Sequence, residues 1–269
     1  MNHMKLCCDS ILRTGFGTLP MSSSMKNSME SMVRDFSDID EHTKKQYQFE
    51  SETDGFLPFG SEYAKHVEQP DLCERFCYWH THASVRREHE FSHSPFIQAA
   101  RRYEEEMSPV AQQLMDLICS EFGVESVGDI RATSYLQLCV YGRDIPREGR
   151  KFAQDPHEDG HLLTFVKPNR DGLVLVRGSH LEPVRLLENE LAVMSGSLLT
   201  VISDYAIPAA YHAVLTPPEN VGRTSLVYFV NPRTDQPLRG FHRREHVDLS
   251  VPLNQRHTGF GNKTLQTAM

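Results

Sequence analysis

The chain has 269 residues and a formal net charge of −8; 39% of its residues are hydrophobic and 24% are charged. This composition indicates a water-soluble globule of one or two domains. The acidic balance argues against sequence-independent nucleic-acid binding, which needs a basic face, and no apolar run approaches the roughly 18 residues of a membrane-spanning helix.

The N-terminal segment has no apolar core of signal-peptide length. Six cysteines could form three disulfides in a small secreted domain, but free thiols are expected in a chain of this length without a leader. We therefore expect a cytoplasmic protein that binds neither nucleic acid nor a membrane. The composition leaves its oligomeric state open.

Helices are predicted in the first half of the chain. Apolar residues within 25–36 recur at intervals of three and four, the period of a helix with one buried face. A second helix is predicted over residues 94–106. Ser108 as N-cap and Pro109 in the first turn predict that a third helix begins there and ends before Gly123.

Short strands are predicted after Gly123, where runs rich in Val, Leu, Tyr and Thr alternate with Gly, Pro and Asp. The clearest runs are residues 135–141, 162–166, 173–176, 198–202 and 226–230. Together with the helical first half, they predict a mainly β fold with flanking helices. We expect a mostly helical region at 1–125, packed on a core at 126–269 in one structural unit.

Two histidines and one aspartate are candidates for a metal site. His157 and Asp159 lie two positions apart, so on a strand both side chains point to one face while Glu158 points away. His212 can supply a third ligand. Two imidazoles and one carboxylate suit ferrous iron, because three coordination positions stay open. His161 lies four positions after His157 and would share its strand face, so it competes with His212 as third ligand, although a histidine that packs in or lines the pocket is the favoured interpretation. A surface loop is the alternative for the whole motif.

Arg223 and Ser225 also share one face of a predicted strand. A guanidinium pairs with a carboxylate through two hydrogen bonds, and the serine hydroxyl can donate a third. The pair is therefore a candidate clamp for the carboxylate of a ligand. The alternative is a charged residue at the rim of a buried strand.

A second set of metal-ligand residue types consists of Cys73, Cys77, His80 and His82. Its cysteines are spaced by one helical turn rather than as a tight zinc knuckle, so free thiols and loop histidines are the favoured interpretation. The histidine-rich stretch at 80–93 could line a substrate entrance.

The order of these motifs resembles that of the iron(II)/2-oxoglutarate-dependent dioxygenases, and in particular their isopenicillin N synthase-like branch. The matching residues are Tyr141, His157-x-Asp159, Asp171-Gly172, Gly196-Ser197-Leu198, His212, Arg223-x-Ser225 and Asn231-Pro232. In the family's common Asn-x-Tyr motif, Cys139 takes the place of the Asn. The resemblance implies a double-stranded β-helix, or jelly roll, with outer helices.

The resemblance also implies roles for the candidate residues. His157, Asp159 and His212 would bind Fe(II), Arg223 and Ser225 would hold the distal carboxylate of 2-oxoglutarate, and Tyr141 would lie near this co-substrate. With O2, these groups imply an oxygenase that hydroxylates a small-molecule metabolite or natural-product intermediate. Two alternatives stay open: an oxidase or cyclase that uses no 2-oxoglutarate, and a non-catalytic jelly roll that senses a ligand.

Overall fold

The computed structural model describes residues 2–49, 54–63, 68–85, 93–142, 147, 149–233 and 238–247. The helices are α1 (His3–Thr14), α2 (Ser23–Ser37), α3 (Glu41–Gln46), α4 (His80–Val85), α5 (Pro95–Glu121) and α6 (Ser197–Ile202). The strands are β1 (Phe16–Pro20), β2 (Gly55–Leu57), β3 (Glu74–Tyr78), β4 (Tyr135–Tyr141), β5 (Phe152–His157), β6 (Leu163–Pro168), β7 (Leu173–Arg177), β8 (His180–Pro183), β9 (Glu190–Ser195), β10 (His212–Leu215), β11 (Arg223–Val230), β12 (Leu238–Arg239) and β13 (His246–Val247). Within these ranges, no helix combines the length and the apolar character that crossing a bilayer requires.

Two antiparallel sheets form the centre of the fold. The large sheet has the strand order β1-β9-β6-β11-β4-β3-β2, and the small sheet has the order β5-β10-β7-β8. From β4 to β11, consecutive strands alternate between the two sheets except at the β7–β8 hairpin, which is the crossing pattern of a jelly roll. The predicted mainly β fold, a double-stranded β-helix with flanking helices, is confirmed.

The region before residue 126 contributes more than helices. Strands β1, β2 and β3 extend the large sheet, with β1 paired to β9 and β3 paired to β4. The division into 1–125 and 126–269 stays a prediction, and the sheet runs across it.

The two faces of the large sheet have different neighbours. On β11, Leu226, Tyr228 and Val230 belong to the apolar core shared with the helices. The alternate residues Val227 and Phe229 belong to a second apolar cluster inside the jelly roll. Because side chains alternate along a strand, Arg223 and Ser225 share the inner face with Val227 and Phe229. Alternation along β11 thus places the residues that pack against the helices on one face and the candidate site residues on the other.

Helix α2 covers the outer face together with α5. The helix predicted over residues 25–36 is confirmed by α2, whose N-cap Ser22 accepts a hydrogen bond of 3.0 Å from the Met25 amide. Met25, Met29 and Met32 are buried in the apolar core between the helices and the large sheet, so these methionines pack the core.

The prediction of two helices separated at Ser108 was wrong, because α5 runs without a break from Pro95 to Glu121 with Pro109 inside it. Its buried face continues across the proline, with Met107, Ala111 and Leu114 each fully buried. The proline removes one backbone hydrogen bond, but ending the helix there would expose this face. Burial of this face therefore outweighs the local sequence signals that predict a helix boundary at Ser108 and Pro109.

We expect Pro109→Ala to raise the free energy of unfolding by about 1–3 kcal/mol, because it restores the helical N–H and relieves the ring clash. The comparison is Pro95→Ala, since Pro95 occupies the first turn, where proline is well tolerated. Urea denaturation of the two variants measures the difference. A Pro109→Ala protein less stable than wild type would contradict the packing explanation.

The strand predicted at residues 198–202 was also wrong, because this segment forms α6. Leu198, Leu199 and Ile202 are fully buried at helical spacing. The first amides of the helix bond to a loop and not to a strand: the Ser197 amide donates to the Asp159 carbonyl at 2.9 Å. A short apolar run does not distinguish a strand from one buried helical turn.

Candidate metal and co-substrate site

The three predicted metal ligands come together at one end of the jelly roll. His157 and His212 are directly opposite each other on the paired strands β5 and β10, and their ring centroids lie 4.4 Å apart. Asp159 joins them from the segment that follows β5. One ligand atom from each residue lies within 4.8 Å of those from the other two, and all three side chains are buried.

The prediction that His157 and Asp159 lie on the same strand was wrong, because β5 ends at His157 and Asp159 lies beyond it. The carboxylate reaches the histidines because its segment is held by α6. The amide and the hydroxyl of Ser197 both donate to the Asp159 carbonyl, at 2.9 and 3.1 Å. Asp159 therefore owes its position to the chain around residue 197 and not to the pleat of a strand.

Backbone carbonyls orient both imidazoles. His157 Nδ1 lies 2.6 Å from the Asp155 carbonyl oxygen, and His212 Nδ1 lies 3.0 Å from that of Ala210. A carbonyl only accepts, so each Nδ1 carries a proton and donates. In the neutral imidazoles, this leaves each Nε2 as the atom that can bind a metal.

Protonation within the group follows from burial and mutual charge. Burial disfavours the ionised carboxylate of Asp159, but His212 and His157 more than offset this and lower its pKa far below the ordinary value. Burial lowers the pKa of His212, which favours its neutral form. Burial also opposes charge on His157, yet Asp159 raises the pKa of this imidazole, with a smaller contribution from Asp71.

The residues present fit a divalent cation with open coordination positions. Asp159 Oδ2 is buried and has no hydrogen-bond partner. Nε2 of His157 lies 3.5 Å from Asp159 Oδ1, and Nε2 of His212 lies 3.8 Å from Asp159 Oδ2. A buried anionic oxygen without a partner is costly, and a cation between the three side chains would satisfy it. Two nitrogens and one oxygen are the donor set of non-haem ferrous sites.

Gly196, which precedes α6, packs against the backbone of the segment that carries Asp159. A Cβ atom added there would lie 2.1 Å from the His161 carbonyl oxygen and 2.8 Å from that of Asp159. We expect Gly196→Ala to displace the segment that carries Asp159 and to weaken Fe(II) binding by about 10–100-fold, the range seen when the support of metal ligands is lost. Isothermal titration under anaerobic conditions measures this. Unchanged affinity in a folded variant would contradict it.

The Gly196 test has a matched control in Gly178→Ala. Gly178 lies in the β7–β8 turn with open space around it, although its φ of +61° adds local strain. We expect this variant to lose some stability and to keep its affinity for Fe(II).

The candidate carboxylate clamp lies on β11. Arg223 is 1% exposed, and its Nη1 donates to Ser225 Oγ at 2.7 Å, while its Nε donates to the Asp171 carbonyl at 3.3 Å. Nη2 is buried and has no hydrogen-bond partner. Tyr141 is directly opposite on β4, with its ring centroid 5.1 Å from the guanidinium carbon. The guanidinium is thus buried, oriented and still able to bind a carboxylate oxygen.

His161 does not compete with His212 for a place in the metal group. Its Nδ1 lies 2.7 Å from Asn231 Oδ1, and its ring packs 4.2 Å from that of Phe229. Burial lowers its pKa. The expectation that it shares a strand face with His157 was wrong, because the chain leaves β5 at His157.

The second set of ligand types is dispersed. Cys73 and Cys77 are buried inside the jelly roll, and all six cysteines of the chain are free thiols, as expected. His80 Nδ1 lies 3.2 Å from Arg131 Nη2, and His82 Nδ1 lies 2.8 Å from Asp54 Oδ2. Of the 80–93 stretch, residues 86–92 lie outside the described part of the chain.

One buried charge cluster inside the jelly roll was missed by the sequence reasoning. Arg75, 2% exposed, forms ion pairs with Glu62 through Nε, at 2.8 Å, and with Asp71 through Nη2. Glu62 and Asp71 are also buried. The available signal was the charged Arg75 within the otherwise apolar strand β3, but its partners lie outside any motif.

Comparison with known proteins agrees with this geometry. Residues 132–232 match the model of the 2OG-Fe(II) oxygenase superfamily. The chain is 27% identical over 150 residues to 1-aminocyclopropane-1-carboxylate oxidase 1 of Cucumis melo, which covers 50% of this chain and 45% of that protein. It is 30% identical over 129 residues to deacetoxycephalosporin C hydroxylase of Streptomyces clavuligerus, covering 45% and 40%. The chain thus spans less than half of these curated relatives.

Solved structures share the fold over nearly the whole chain. The rice dioxygenase for auxin oxidation superposes with a TM-score of 0.76 at 16% identity and covers 95% of this chain and 93% of that one. A full-length Neurospora crassa protein in complex with alpha-KG and thymine gives a TM-score of 0.73 at 17% identity, covering 95% and 90%. The segment that matches the 2OG-Fe(II) oxygenase superfamily, residues 132–232, contains every residue of the candidate site.

Proposed function

We propose that the protein is an Fe(II)- and 2-oxoglutarate-dependent oxygenase that hydroxylates a small-molecule metabolite. Two buried polar atoms without hydrogen-bond partners support this proposal. One is Asp159 Oδ2, which lies beside two imidazole nitrogens, and the other is Arg223 Nη2. Iron and a dicarboxylate would satisfy both groups.

Each residue has a defined part in this proposal. His157, Asp159 and His212 hold Fe(II) through Nε2 and carboxylate oxygens. Bound iron supplies the redox chemistry that couples the reduction of O2 to the oxidative decarboxylation of 2-oxoglutarate. Arg223 pairs with the distal carboxylate of the co-substrate, and Ser225 Oγ positions the guanidinium through its hydrogen bond.

Tyr141 and the apolar surroundings keep the clamp dry. The Tyr141 ring packs on the Arg223 guanidinium and, like it, is almost fully buried. In an environment with little water, an ion pair with the co-substrate gains more energy than it would at the surface. Such exclusion of water also protects the reacting centre from side reactions.

A small-molecule substrate is supported by the relatives. The melon oxidase and the Streptomyces hydroxylase are named for small organic molecules, and thymine is bound in the Neurospora structure. We place the enzyme in the cytoplasm, and its six buried free thiols are typical of a reducing compartment. A role in natural-product biosynthesis is the favoured context.

The experiment that tests the proposal is an anaerobic titration of the apoprotein, first with Fe(II) and then with 2-oxoglutarate. We expect stoichiometric iron binding, followed by a weak visible charge-transfer band when the oxo acid is added. Iron binding without a band favours the oxidase that uses no 2-oxoglutarate, in which Arg223 would hold a substrate carboxylate. Absence of iron binding overturns the metal site and leaves the ligand-sensing jelly roll.

A further inference from the structure

A cleft with a volume of about 490 Å³ reaches the candidate clamp from the end of the jelly roll. It lies between the β6–β7 turn, at residues 170–172, and the β10–β11 connection, at 215–218 and Val221, and Arg223 also lines it. Strand β10 begins at His212 in the metal group and ends at Leu215 in the cleft. The volume is that of a small-ligand pocket, so a ligand that extends along β10 from the metal group can end here.

Two buried polar atoms of the cleft residues lack hydrogen-bond partners in the described part of the chain. One is Arg223 Nη2, and the other is Thr216 Oγ1. The other two nitrogens of the same guanidinium are bonded, Nη1 to Ser225 and Nε to the Asp171 carbonyl. A buried polar atom without a partner costs free energy, so two such atoms in one cleft indicate a ligand that bonds to both.

Gly172 brings the backbone before Thr216 close to the guanidinium. A Cβ atom added at Gly172 would lie 3.4 Å from Arg223 Nε and 3.7 Å from the Leu215 carbonyl oxygen. The Leu215 amide donates to the Gly172 carbonyl at 2.8 Å, which fixes this approach. Because the Leu215 carbonyl carbon is bonded to the Thr216 nitrogen, Thr216 and Arg223 pack around the same glycine.

The charges in the cleft favour an anion. Among the described residues, no carboxylate forms an ion pair with Arg223, and the exposed Arg170 adds a second positive charge at the rim. Asp171 also lines the cleft, but its carboxylate is exposed and lies 3.8 Å from Arg185. A guanidinium N–H and a hydroxyl can both donate to one carboxylate, and hydrogen bonds of this kind are strengthened by the charge.

We propose that Thr216 is a third member of the co-substrate clamp, whose hydroxyl donates to the same distal carboxylate that Arg223 Nη2 binds. This rests on the proposed function for the identity of the ligand. Ser225 orients the guanidinium, whereas Thr216 contacts the ligand itself. The hydroxyl therefore contributes to the selection of oxo acids that carry a second carboxylate.

The test removes the hydroxyl and the distal carboxylate separately. Thr216→Val keeps the shape of the side chain, and 2-oxopentanoate keeps the chain length and the chelating end of 2-oxoglutarate but ends in a methyl group. In the anaerobic Fe(II) protein, we expect Thr216→Val to raise the concentration of 2-oxoglutarate that gives half of the charge-transfer band by about 10-fold. The concentration of 2-oxopentanoate that gives half of its band should change by less than about 2-fold, because this acid has no group for the hydroxyl to bind.

Two further variants are the controls. Thr216→Ser keeps the hydroxyl and should bind 2-oxoglutarate within about 3-fold of wild type, since only a methyl group is lost. Thr224→Val makes the same substitution between Arg223 and Ser225, where alternation along β11 points the side chain to the opposite face. It should leave the response to both oxo acids unchanged. Circular dichroism verifies that each variant is folded.

Unchanged binding of 2-oxoglutarate in Thr216→Val overturns the proposal, and so does an equal loss for both oxo acids, which is the result of a purely structural role. If the wild-type Fe(II) protein gives no band, the proposed function fails, and Thr216 is tested by the melting temperature of the metal-free protein in glutarate. Stabilisation by glutarate that Thr216→Val removes and Thr216→Ser keeps supports the carboxylate site without 2-oxoglutarate as its ligand. No stabilisation, or equal stabilisation of wild type and Thr216→Val, overturns the site as well.

Discussion

Asp159→Asn should abolish turnover and weaken Fe(II) binding by more than about 100-fold, beyond the 10–100-fold typical of losing an indirect support of a metal site. The substitution keeps the size of the side chain and removes its negative charge, which two imidazoles hold ionised in the buried group. His157→Ala and His212→Ala should have effects of the same order, because each removes one of three ligands. Anaerobic titration calorimetry measures the affinity, and succinate formation measures turnover.

Glu158→Gln is the matched control for these variants. It removes a carboxylate one position from Asp159 but outside the group of ligand atoms. We expect it to bind Fe(II) within about 3-fold of wild type, as substitutions outside the ligand set do when the fold is intact. Full iron affinity in any of the three ligand variants would remove that residue from the proposed site.

Arg223→Lys should raise the concentration of 2-oxoglutarate needed for half-saturation by about 10–100-fold, because a charge-assisted hydrogen bond contributes about 1.5–3 kcal/mol. Lysine keeps the charge but loses the planar fork that binds both carboxylate oxygens. It also loses the Nη1 contact with Ser225 and the stacking on Tyr141. Arg223→Ala should have the larger effect, since it removes the charge as well. The charge-transfer band as a function of 2-oxoglutarate concentration measures both variants.

Arg177→Ala separates the clamp from a general effect of positive charge. Arg177 is half-exposed and pairs with Glu182 at the surface, so its loss should leave 2-oxoglutarate saturation unchanged. Iron affinity should also be unchanged in Arg223→Lys, because Arg223 is not among the metal-ligating groups. Unaltered saturation in both Arg223 variants would contradict the clamp and favour another acceptor for the co-substrate.

The two departures from the predicted elements have one cause. Local preference alone predicts a helix that begins at Pro109 and a strand at residues 198–202. In the structure, α5 continues through Pro109 because its apolar face is buried on both sides of the proline. The segment at 198–202 is helical because its first amides bond to the Asp159 and His161 carbonyls. Each conformation depends on partners distant in sequence.

Spacing along the chain was sufficient to identify the residue types of the candidate site and the strand face on which the clamp lies. Alternation along a strand is a local property, so Arg223, Ser225 and their inner-face neighbours could be predicted from it. Hydrophobic runs likewise predicted β4 and the greater part of β11. The order of the motifs was enough to indicate the family, which the match over residues 132–232 confirms.

How the ligands meet could not be predicted in this way, because it depends on contacts between distant segments. Pairing of β5 with β10 brings the two histidines together, and contacts with α6 place Asp159 beyond the strand end. The same holds for the buried cluster of Arg75, Glu62 and Asp71, whose members have no common motif. Side-chain periodicity acts within a few residues, whereas burial and charge pairing follow from the segments that the folded chain brings into contact.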